Sequence, residues 1–179
     1  MITRYTKPNE YFVITNVSGD AQIYYPAKNE VFMTQSLIFE TEKSFLYYFL
    51  NNKIADLGLK DLGFTLSKTH FEDKMLVSTW KPSVKLNSKI GKIELVHENQ
   101  LPIYIAYYDE KYKLTKKIYY YDYYNHPSLK LPQKVVEFNY LPKGDSVVNK
   151  LVYSNIKLNE QANSTWFNYK IPANAKVVK

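Results

Sequence analysis

The chain has 179 residues, 24 basic against 17 acidic side chains, no cysteine and 18 tyrosines. The missing cysteines exclude disulfides, thiolate chemistry and cysteine-ligated zinc, and no run of 18 apolar residues is present that could cross a membrane as a helix. The length predicts one domain, residues 1–179, which can bury about 70% of its unfolded surface.

The net charge of +7 has two interpretations. It describes a soluble, lysine-rich surface, or it attracts anionic lipid headgroups or nucleic acid. Arg4 is the only arginine, and the reading of base edges favours the arginine fork over the lysine point charge. The composition therefore disfavours sequence-specific binding of nucleic acid.

The N-terminal third predicts an antiparallel meander. Residues 1–5 are typical of an edge strand, and because a strand begins at once we expect that an export signal has been removed upstream. Glu10–Val17, Ala21–Tyr25 and Glu30–Thr34 are rich in β-branched and aromatic residues, which favour strands. Short polar turns separate these runs.

An amphipathic helix is predicted next. Thr41 can cap its start, and Glu42 suits its first turn. The apolar residues behind them recur at spacings of one, three and four and form one stripe, which consists of Phe45, Leu46, Phe49, Leu50 and Ile54. The helix either caps the core of the sheet or acts as a movable lid over a binding cavity. Residues 56–63 follow as a short helical turn or loop.

From residue 64 onward the apolar residues return to a period of two, and turn residues such as 72–74 and 99–100 separate short runs. Regular short strands of this kind predict an antiparallel meander that curls into a barrel or half-barrel. The predicted strands are Phe64–Thr69, Met75–Trp80, Lys92–His97, Ile103–Tyr108, Lys113–Tyr121, Lys134–Leu141, Val147–Lys157 and Thr165–Tyr169.

Aromatic residues crowd the strand predicted over Lys113–Tyr121 and the residues after it. In an extended strand Tyr119, Tyr121 and Tyr123 face one side, while Tyr120 faces the other. Aromatic residues fit any half-buried sheet, but they also build a cavity wall or a stacking platform. Both interpretations remain open.

No catalytic pattern accompanies these strands. His70, His97 and His126 lack the spacing of metal ligands. Neighbouring carboxylates lie in predicted turns, and the sequence contains neither a Gly-x-Ser-x-Gly elbow nor a glycine-rich phosphate loop. An enzyme is therefore the least favoured function, and the sequence predicts neither a cofactor nor a metal site.

Three segments, in order along the chain, resemble a known family. Thr6–Ile14 is similar to a basic–Pro–Asn segment that enters an aromatic strand, Ser18–Pro26 to a turn followed by an aromatic strand and a proline, and Phe167–Val178 to a closing strand, proline and valines. A helix after Thr41 stands where that family places one inside its barrel. The chain thus resembles the periplasmic outer-membrane lipoprotein carriers, the LolA-like and LolB-like proteins.

The resemblance implies a mainly β fold, an antiparallel unclosed β-barrel or half-barrel with a helical lid over a hydrophobic cavity. It also implies a location in the periplasm after removal of a signal peptide, or association with the outer membrane as in some related members. The family carries an N-terminal helix and early strands before the basic–Pro–Asn segment. Because this chain begins almost at that segment, we expect that part of the barrel and lid is missing or built differently.

The resemblance further implies a latch for the lid. The family's basic residue is typically an arginine that hydrogen-bonds the lid backbone, and Lys7 occupies that position here without the planar fork. Lys7 is therefore either a latch or a solvated lysine at a strand end, and Arg4 is the alternative latch.

The predicted function is a carrier that shields the acyl chains of lipoproteins or other lipids during transport toward the outer membrane. Its expected contacts are transient, with an inner-membrane exporter or an outer-membrane receptor, and not with nucleic acid. The alternatives are a structural or interaction domain with a filled core, and an aromatic platform for nucleic acid or glycan. The residues expected to line the cavity are Tyr11, Val13, Tyr24, Phe32, Phe45, Leu46, Phe49, Trp80, Ile93, Tyr104 and Tyr119.

Overall fold

The computed structural model describes residues 2–16, 20–34, 44–86, 88–142, 144–162, 166 and 168–178. Within these residues the chain is mainly β, with twelve strands and one α-helix. The elements are β1 (Ile2–Tyr5), β2 (Tyr11–Thr15), β3 (Ala21–Tyr25), β4 (Glu30–Thr34), α1 (Ser44–Leu50), β5 (Phe64–Glu72), β6 (Met75–Pro82), β7 (Ile90–Glu98), β8 (Leu101–Asp109), β9 (Leu114–His126), β10 (Leu129–Tyr140), β11 (Ser146–Val152) and β12 (Lys176–Val178).

The strands form two open sheets. The first has the order β1-β2-β3-β4-β12, and the second has the order β11-β10-β9-β8-β7-β6-β5. Neighbouring strands pair antiparallel, except that β12 lies parallel to β4. The predicted fold class is confirmed, because the described chain is mainly β, antiparallel and unclosed, with a small helix.

The chain divides into two compact units, one of residues 1–47 and 157–179 and the other of residues 48–156. The first unit contains the five-stranded sheet and the second unit contains the seven-stranded sheet. The single domain expected from the length stays a prediction.

The first unit has a small aromatic core. Phe12, Tyr24 and Val31 form its buried cluster, and Tyr169 and Ile171 pack against them. These three buried residues are cross-strand partners on β2, β3 and β4, so their side chains share one face of the sheet. The C-terminal segment covers this face before it adds β12 to the edge.

Two-residue turns set the register in the second unit. Asp73 and Lys74 between β5 and β6, and Asn99 and Gln100 between β7 and β8, all have positive φ angles. Two successive left-handed residues define a type I′ turn, whose twist matches that of hairpin strands. The sequence predicts both turns, and the structure confirms them.

The helix α1 is shorter than its apolar stripe predicts. Asn52, two residues past its end at Leu50, has a φ of 55°. A left-handed asparagine just beyond the last turn stops a helix, so Ile54 lies in the turn region that follows. The predicted cap at Thr41 and Glu42 lies outside the described residues.

The C-terminal region departs from the predicted strands. β11 stops short of the predicted end at Lys157, and the strand predicted over Thr165–Tyr169 is wrong for the residues described there. Trp166 and Tyr169 instead pack their rings on Phe12, at centroid distances of 5.3 and 4.5 Å. Ring packing on Phe12 thus replaces strand pairing in this segment, and β12 occupies the sheet edge.

Candidate functional site: an aromatic groove on the seven-stranded sheet

The seven-stranded sheet has two faces of different character. The register pairs Trp80 with Ile93 and Val77 with Val96, and the two pairs point to opposite sides because side chains alternate along a strand. One side, the packed face, carries Ser78, Trp80, Ile93, Leu95, His97, Ile105, Ile118, Tyr120, Val135 and Glu137, all of them buried. The other side, the tyrosine face, carries Val77, Glu94, Val96, Tyr104, Tyr108, Lys117, Tyr119, Tyr121, Phe138 and Tyr140, which are half-buried or exposed.

The end of α1 and the turn region after it lie against the packed face. The Phe49 ring has its centroid 5.4 Å from that of Tyr120 and 6.1 Å from that of Tyr123. Leu57 and Leu59, from the turn region, are also buried. Since Leu95 has 0% exposure, the chain's own side chains cover the middle of this face.

A buried histidine ties the turn region to the packed face. His97 places Nε2 3.0 Å from the carbonyl oxygen of Ile54. A carbonyl oxygen can only accept, so Nε2 carries the proton and donates it. The Nδ1 atom of His97 is buried and has no hydrogen-bond partner among the described residues. This single bond therefore selects the tautomer of a buried ring.

The other polar groups of the packed face are paired. Trp80 donates Nε1–H to Ser78 Oγ at 3.0 Å, and Ser78 donates its hydroxyl to the Leu95 carbonyl at 3.0 Å. The buried Glu137 carboxylate lies 3.3 Å from the Lys116 ammonium. Paired polar groups are the rule in a packed interior, so this face shows the chemistry of a core.

A groove lies on the tyrosine face, with a volume of about 620 Å³. Val96, Tyr104 and Tyr119 are cross-strand partners on β7, β8 and β9, so they form one row across it. The Tyr104 and Tyr119 rings have centroids 4.9 Å apart, and Tyr121 stacks on Tyr119 at 6.0 Å. The lining consists of Met75, Val96, Glu98, Ile103, Tyr104, Tyr119, Tyr121 and Asp122, together with Tyr120 and Tyr123, whose rings pack near Phe49 on the packed face.

A register shift between β7 and β8 helps to shape the groove. Val96 pairs with Tyr104 and the next residue, His97, pairs with Pro102, so that Ile103 has no direct partner. Such a bulge re-aims the extra side chain and bends the strand. Ile103 thereby joins the groove lining, and one more apolar side chain faces the hollow.

A left-handed residue in β9 changes the face on which the next tyrosine lies. Asp122 has a φ of 50° in the middle of the strand, and its carboxylate pairs with Lys134 at 2.5 Å. Strict alternation would put Tyr123 beside Tyr121, but the Tyr123 ring instead packs against Phe49 on the packed face. The prediction that Tyr119, Tyr121 and Tyr123 share one side is therefore wrong for Tyr123.

Two tyrosine hydroxyls of the tyrosine face have raised pKa values. Burial raises the pKa of Tyr104, which lines the groove. Burial and the hydrogen bond to Glu94 raise the pKa of Tyr108 on the same face. The hydroxyls of Tyr104 and Tyr108 therefore act as hydrogen-bonding groups and not as charges.

Two lysines of the tyrosine face are in different electrostatic surroundings. Lys92 lies 2.8 Å from Glu94, which also accepts a hydrogen bond of 2.7 Å from Tyr108. Burial alone would raise the pKa of Glu94, but these two hydrogen bonds outweigh it and hold that pKa below its ordinary value. Lys117 instead lies among the rings of Tyr119, Phe138 and Tyr140, at 5.2–5.7 Å from their centroids.

The predicted cavity residues of the second unit divide between the two faces. Phe49, Trp80 and Ile93 lie on or against the packed face, and each is buried to 3% exposure or less. Tyr104 and Tyr119 lie on the tyrosine face and line the groove. The structure thus brings two of these five residues together in an open hollow.

The predicted cavity residues of the first unit also divide. One face of the five-stranded sheet carries Tyr11, Val13 and Phe32. Val13 and Phe32 both pair with Ile23, and Tyr11 lies two residues before Val13 on the same strand. Tyr24 lies on the other face, in the aromatic core, and its hydroxyl donates to Asn29 Oδ1 at 3.1 Å.

The two remaining cavity residues lie in α1. Leu46 is half-buried there, and Phe45 occupies the second position of the helix.

The predicted latch residues have separate surroundings. The Arg4 guanidinium bonds Glu10 at 2.6 Å and lies 4.8 Å from the centroid of the Trp166 ring. Lys7 is exposed between β1 and β2. Arg4 is thus engaged within the first unit, and a latch role for either residue stays a prediction.

The first unit has a smaller hollow of about 420 Å³. It lies between the sheet and the C-terminal segment, and its lining includes Ile14, Val31, Met33, Ile171 and Val177. Sequence reasoning missed this hollow, as it missed Met75, Val96 and Ile103 in the groove. The alternation of Val96 with Leu95 was the available signal for its face, and Pro102 within β8 was the available signal for the neighbouring bulge.

Within the part of the chain that the structure describes, no helix has the length and apolar character needed to cross a membrane. Nor do the described residues bring three or more histidine or carboxylate side chains together as metal ligands.

No protein-family model and no curated protein matches the chain. Solved structures with a similar chain path include a LolA superfamily protein from Nitrosomonas europaea, with a TM-score of 0.49, 12% identity and coverage of 84% of this chain and 69% of that one. A candidate outer membrane lipoprotein-sorting domain from Vibrio parahaemolyticus has a TM-score of 0.46, 17% identity and coverage of 83% and 66%. A DUF1329 family protein from Desulfovibrio piger has a TM-score of 0.47, 16% identity and coverage of 87% and 77%.

At TM-scores below 0.5 and identities of 12–17%, the similarity assigns neither a ligand nor an activity to this chain.

Proposed function

We propose that this protein binds acyl chains on the tyrosine face of its seven-stranded sheet and acts as a carrier of lipids or lipoproteins. The groove of about 620 Å³ carries this proposal. Its volume falls within the range of roughly 300–1,000 Å³ that is typical of small-molecule sites. Its floor combines aliphatic side chains with tyrosine rings, so it presents apolar surface to the solvent.

The driving force is the removal of hydrocarbon from water. Each methylene group that enters the groove contributes about 0.8 kcal/mol, so a chain of about a dozen carbons needs few specific contacts. The apolar side chains of Val96, Ile103 and Met75 supply a surface that requires no hydrogen-bond partner from the ligand. A groove that stays open along its length suits a carrier that must also release its cargo.

The groove fits an acyl chain better than a sugar or a nucleic acid. A sugar needs several convergent polar partners, whereas the middle of the groove is aliphatic and aromatic. The Glu98 carboxylate belongs to the lining, and it would repel the successive phosphates of a nucleic-acid strand that follows the groove. These features support the lipid over the glycan and nucleic-acid alternatives.

The transport pathway is the part of the proposal that rests on the sequence resemblance. In it, the carrier lies in the periplasm or at the outer membrane, takes acyl chains from an inner-membrane exporter and delivers them to an outer-membrane receptor. The proposal includes no catalytic step, no cofactor and no nucleic acid.

A fluorescent acyl probe tests the groove directly. We expect saturable binding to the wild-type protein and at least a tenfold loss of affinity in Val96→Gln, because the amide must be desolvated beneath the hydrocarbon. Val77→Gln is the matched control, since Val77 pairs with Val96 on the same face but does not line the groove.

Thermal unfolding of both variants shows whether they fold alike. Equal loss in the two variants, or no saturable binding to the folded wild type, would reject the groove as the acyl site. The packed face then favours the other predicted function, a structural domain with a filled core.

A further inference from the structure

We propose that the lipid bound in this groove carries an anionic headgroup, and that Lys117 holds this headgroup at one end. The inference rests on the proposed function and adds a ligand class and an orientation to it. Its basis is Lys117 itself, whose ammonium lies near three aromatic rings and has no carboxylate partner in the described part of the chain.

Lys117 is held in place by its neighbours. Its Nζ atom lies 5.4 Å from the Tyr119 ring centroid, 5.2 Å from that of Phe138 and 5.7 Å from that of Tyr140. Lys117 and Phe138 are direct cross-strand partners, so the register sets this arrangement. A cation beside several ring faces is attracted by each of them, and the ammonium is therefore positioned before any ligand arrives.

The charge of Lys117 has no counter-ion among the described side chains. Among the residues that the structure describes, no carboxylate lies within 4 Å of its ammonium, whereas Lys92, Lys116 and Lys134 each have one. The nearby Glu94 is already held by Lys92 and Tyr108, at 2.8 and 2.7 Å. An anion supplied by a ligand would thus complete a site whose cation is in place.

Hydroxyl groups strengthen the same end of the groove. The hydroxyls of Tyr140 and Tyr119 raise the pKa of the Lys117 ammonium. A tyrosine oxygen that accepts from an ammonium keeps its own O–H proton for another acceptor. A carboxylate or phosphate oxygen near Lys117 would therefore meet one full charge and two hydroxyl donors.

The charge differs in the two directions along the groove: Lys117 lies outside the lining, beside the lining residue Tyr119, and the acidic side chains lie in the other direction. β9 runs from Lys117 past Tyr119 and Tyr121, a distance of about 13 Å at 3.3 Å per residue, and then reaches Asp122. At that end the lining includes Glu98, which has no cationic partner among the described residues, and Asp122, whose carboxylate is paired with Lys134. An anionic headgroup is attracted to the Lys117 end and repelled from the other, so the hydrocarbon tail extends along Tyr119 toward Tyr121.

Three twelve-carbon amphiphiles separate headgroup charge from chain burial. Dodecanoate, dodecanol and dodecyltrimethylammonium, each kept below its micelle concentration, are titrated as competitors of the fluorescent acyl probe. We expect dodecanoate to bind most tightly and the trimethylammonium compound most weakly. In Lys117→Gln we expect dodecanoate to lose about fivefold in affinity, which is the scale of one exposed charge pair, while dodecanol changes less than twofold.

Two further variants control for general effects. Lys68→Gln removes an exposed lysine on β5, four strands away in the sheet order, or about 19 Å at 4.8 Å per strand. It should leave dodecanoate affinity unchanged. Tyr140→Phe removes a hydroxyl outside the groove lining and should weaken dodecanoate alone, by about twofold.

Unchanged dodecanoate binding in Lys117→Gln, or an equal loss in Lys68→Gln, would overturn the headgroup site while leaving acyl binding intact. If none of the three amphiphiles displaces the probe, the proposed function itself fails, and the headgroup site fails with it. A preference for dodecanol over dodecanoate in the wild type also rejects the headgroup site.

Discussion

The two faces of the seven-stranded sheet are made by the same strands, yet they follow different physical rules. On the packed face, Leu95 and Val135 have 0% exposure, and the buried polar groups of Ser78 and Glu137 have partners in the chain. On the tyrosine face, the rings are half-buried and Lys117 has no carboxylate partner among the described residues. The side chains of the packed face therefore mainly stabilise the fold, whereas the tyrosine face leaves apolar surface available for a ligand.

The largest expected effect separates the two faces by stability. Leu95→Ala removes a side chain with 0% exposure, and we expect the free energy of unfolding to fall by about 3 kcal/mol. Val96→Ala, one residue along on the tyrosine face, should cost about 1 kcal/mol or less, because Val96 is only half-buried. Urea unfolding followed by circular dichroism measures both. Equal losses would show that both faces belong to the core.

A second prediction concerns the cover of the packed face. Gly58 has a φ of +73°, and a Cβ added there would lie 2.1 Å from Cε1 of the buried Tyr48. Gly58→Ala should therefore cost about 1–3 kcal/mol and loosen the turn region after α1. Hydrogen exchange should rise there and stay unchanged in β9. Gly144→Ala is the control, since its φ of +95° is strained as well but its Cβ meets no atom within 4 Å.

The smallest expected effect is a pH dependence on the tyrosine face. The pKa of Glu94 is lower in the folded protein than its ordinary value, because the bonds from Lys92 and Tyr108 outweigh burial. A lowered carboxyl pKa stabilises the fold at neutral pH, and this contribution is lost as the pH falls through the folded-state pKa.

The matched variant for this prediction is Glu94→Gln. Because Glu94 is partly exposed, we expect the wild type to exceed Glu94→Gln by less than about 1 kcal/mol at pH 7, and the difference to vanish in acid. Unfolding free energies measured from pH 7 to pH 3 test this. A difference that grows as the pH falls would contradict the stated direction of the pKa shift.

Much of the fold could be predicted because local chemistry decides it. The β-branched and aromatic runs at Ala21–Tyr25 and Glu30–Thr34 coincide with β3 and β4, and the polar turns at 73–74 and 99–100 have the expected left-handed residues. Composition and alternation suffice for such elements.

The candidate site was harder to predict because it depends on which residues of different strands face the same side of the sheet. Period two shows that Trp80 and Tyr104 each face one side of a sheet, but it does not show whether the two sides are the same. That answer depends on the pairing register and on the bulge near Ile103, which only the folded sheet displays. The predicted set therefore combined residues of opposite faces.

The left-handed residue within β9 has a consequence for protein engineering. The backbone at Asp122 determines which face each tyrosine ring lies on. The Tyr123 ring packs against Phe49 on the packed face, whereas Tyr119 and Tyr121 stack on the tyrosine face. Asparagine or glycine tolerates such a backbone, whereas valine or isoleucine resists it. Replacing this one aspartate with a β-branched residue should therefore straighten the ribbon and rotate the neighbouring phenol outward, which enlarges the aromatic surface without any change to a tyrosine codon.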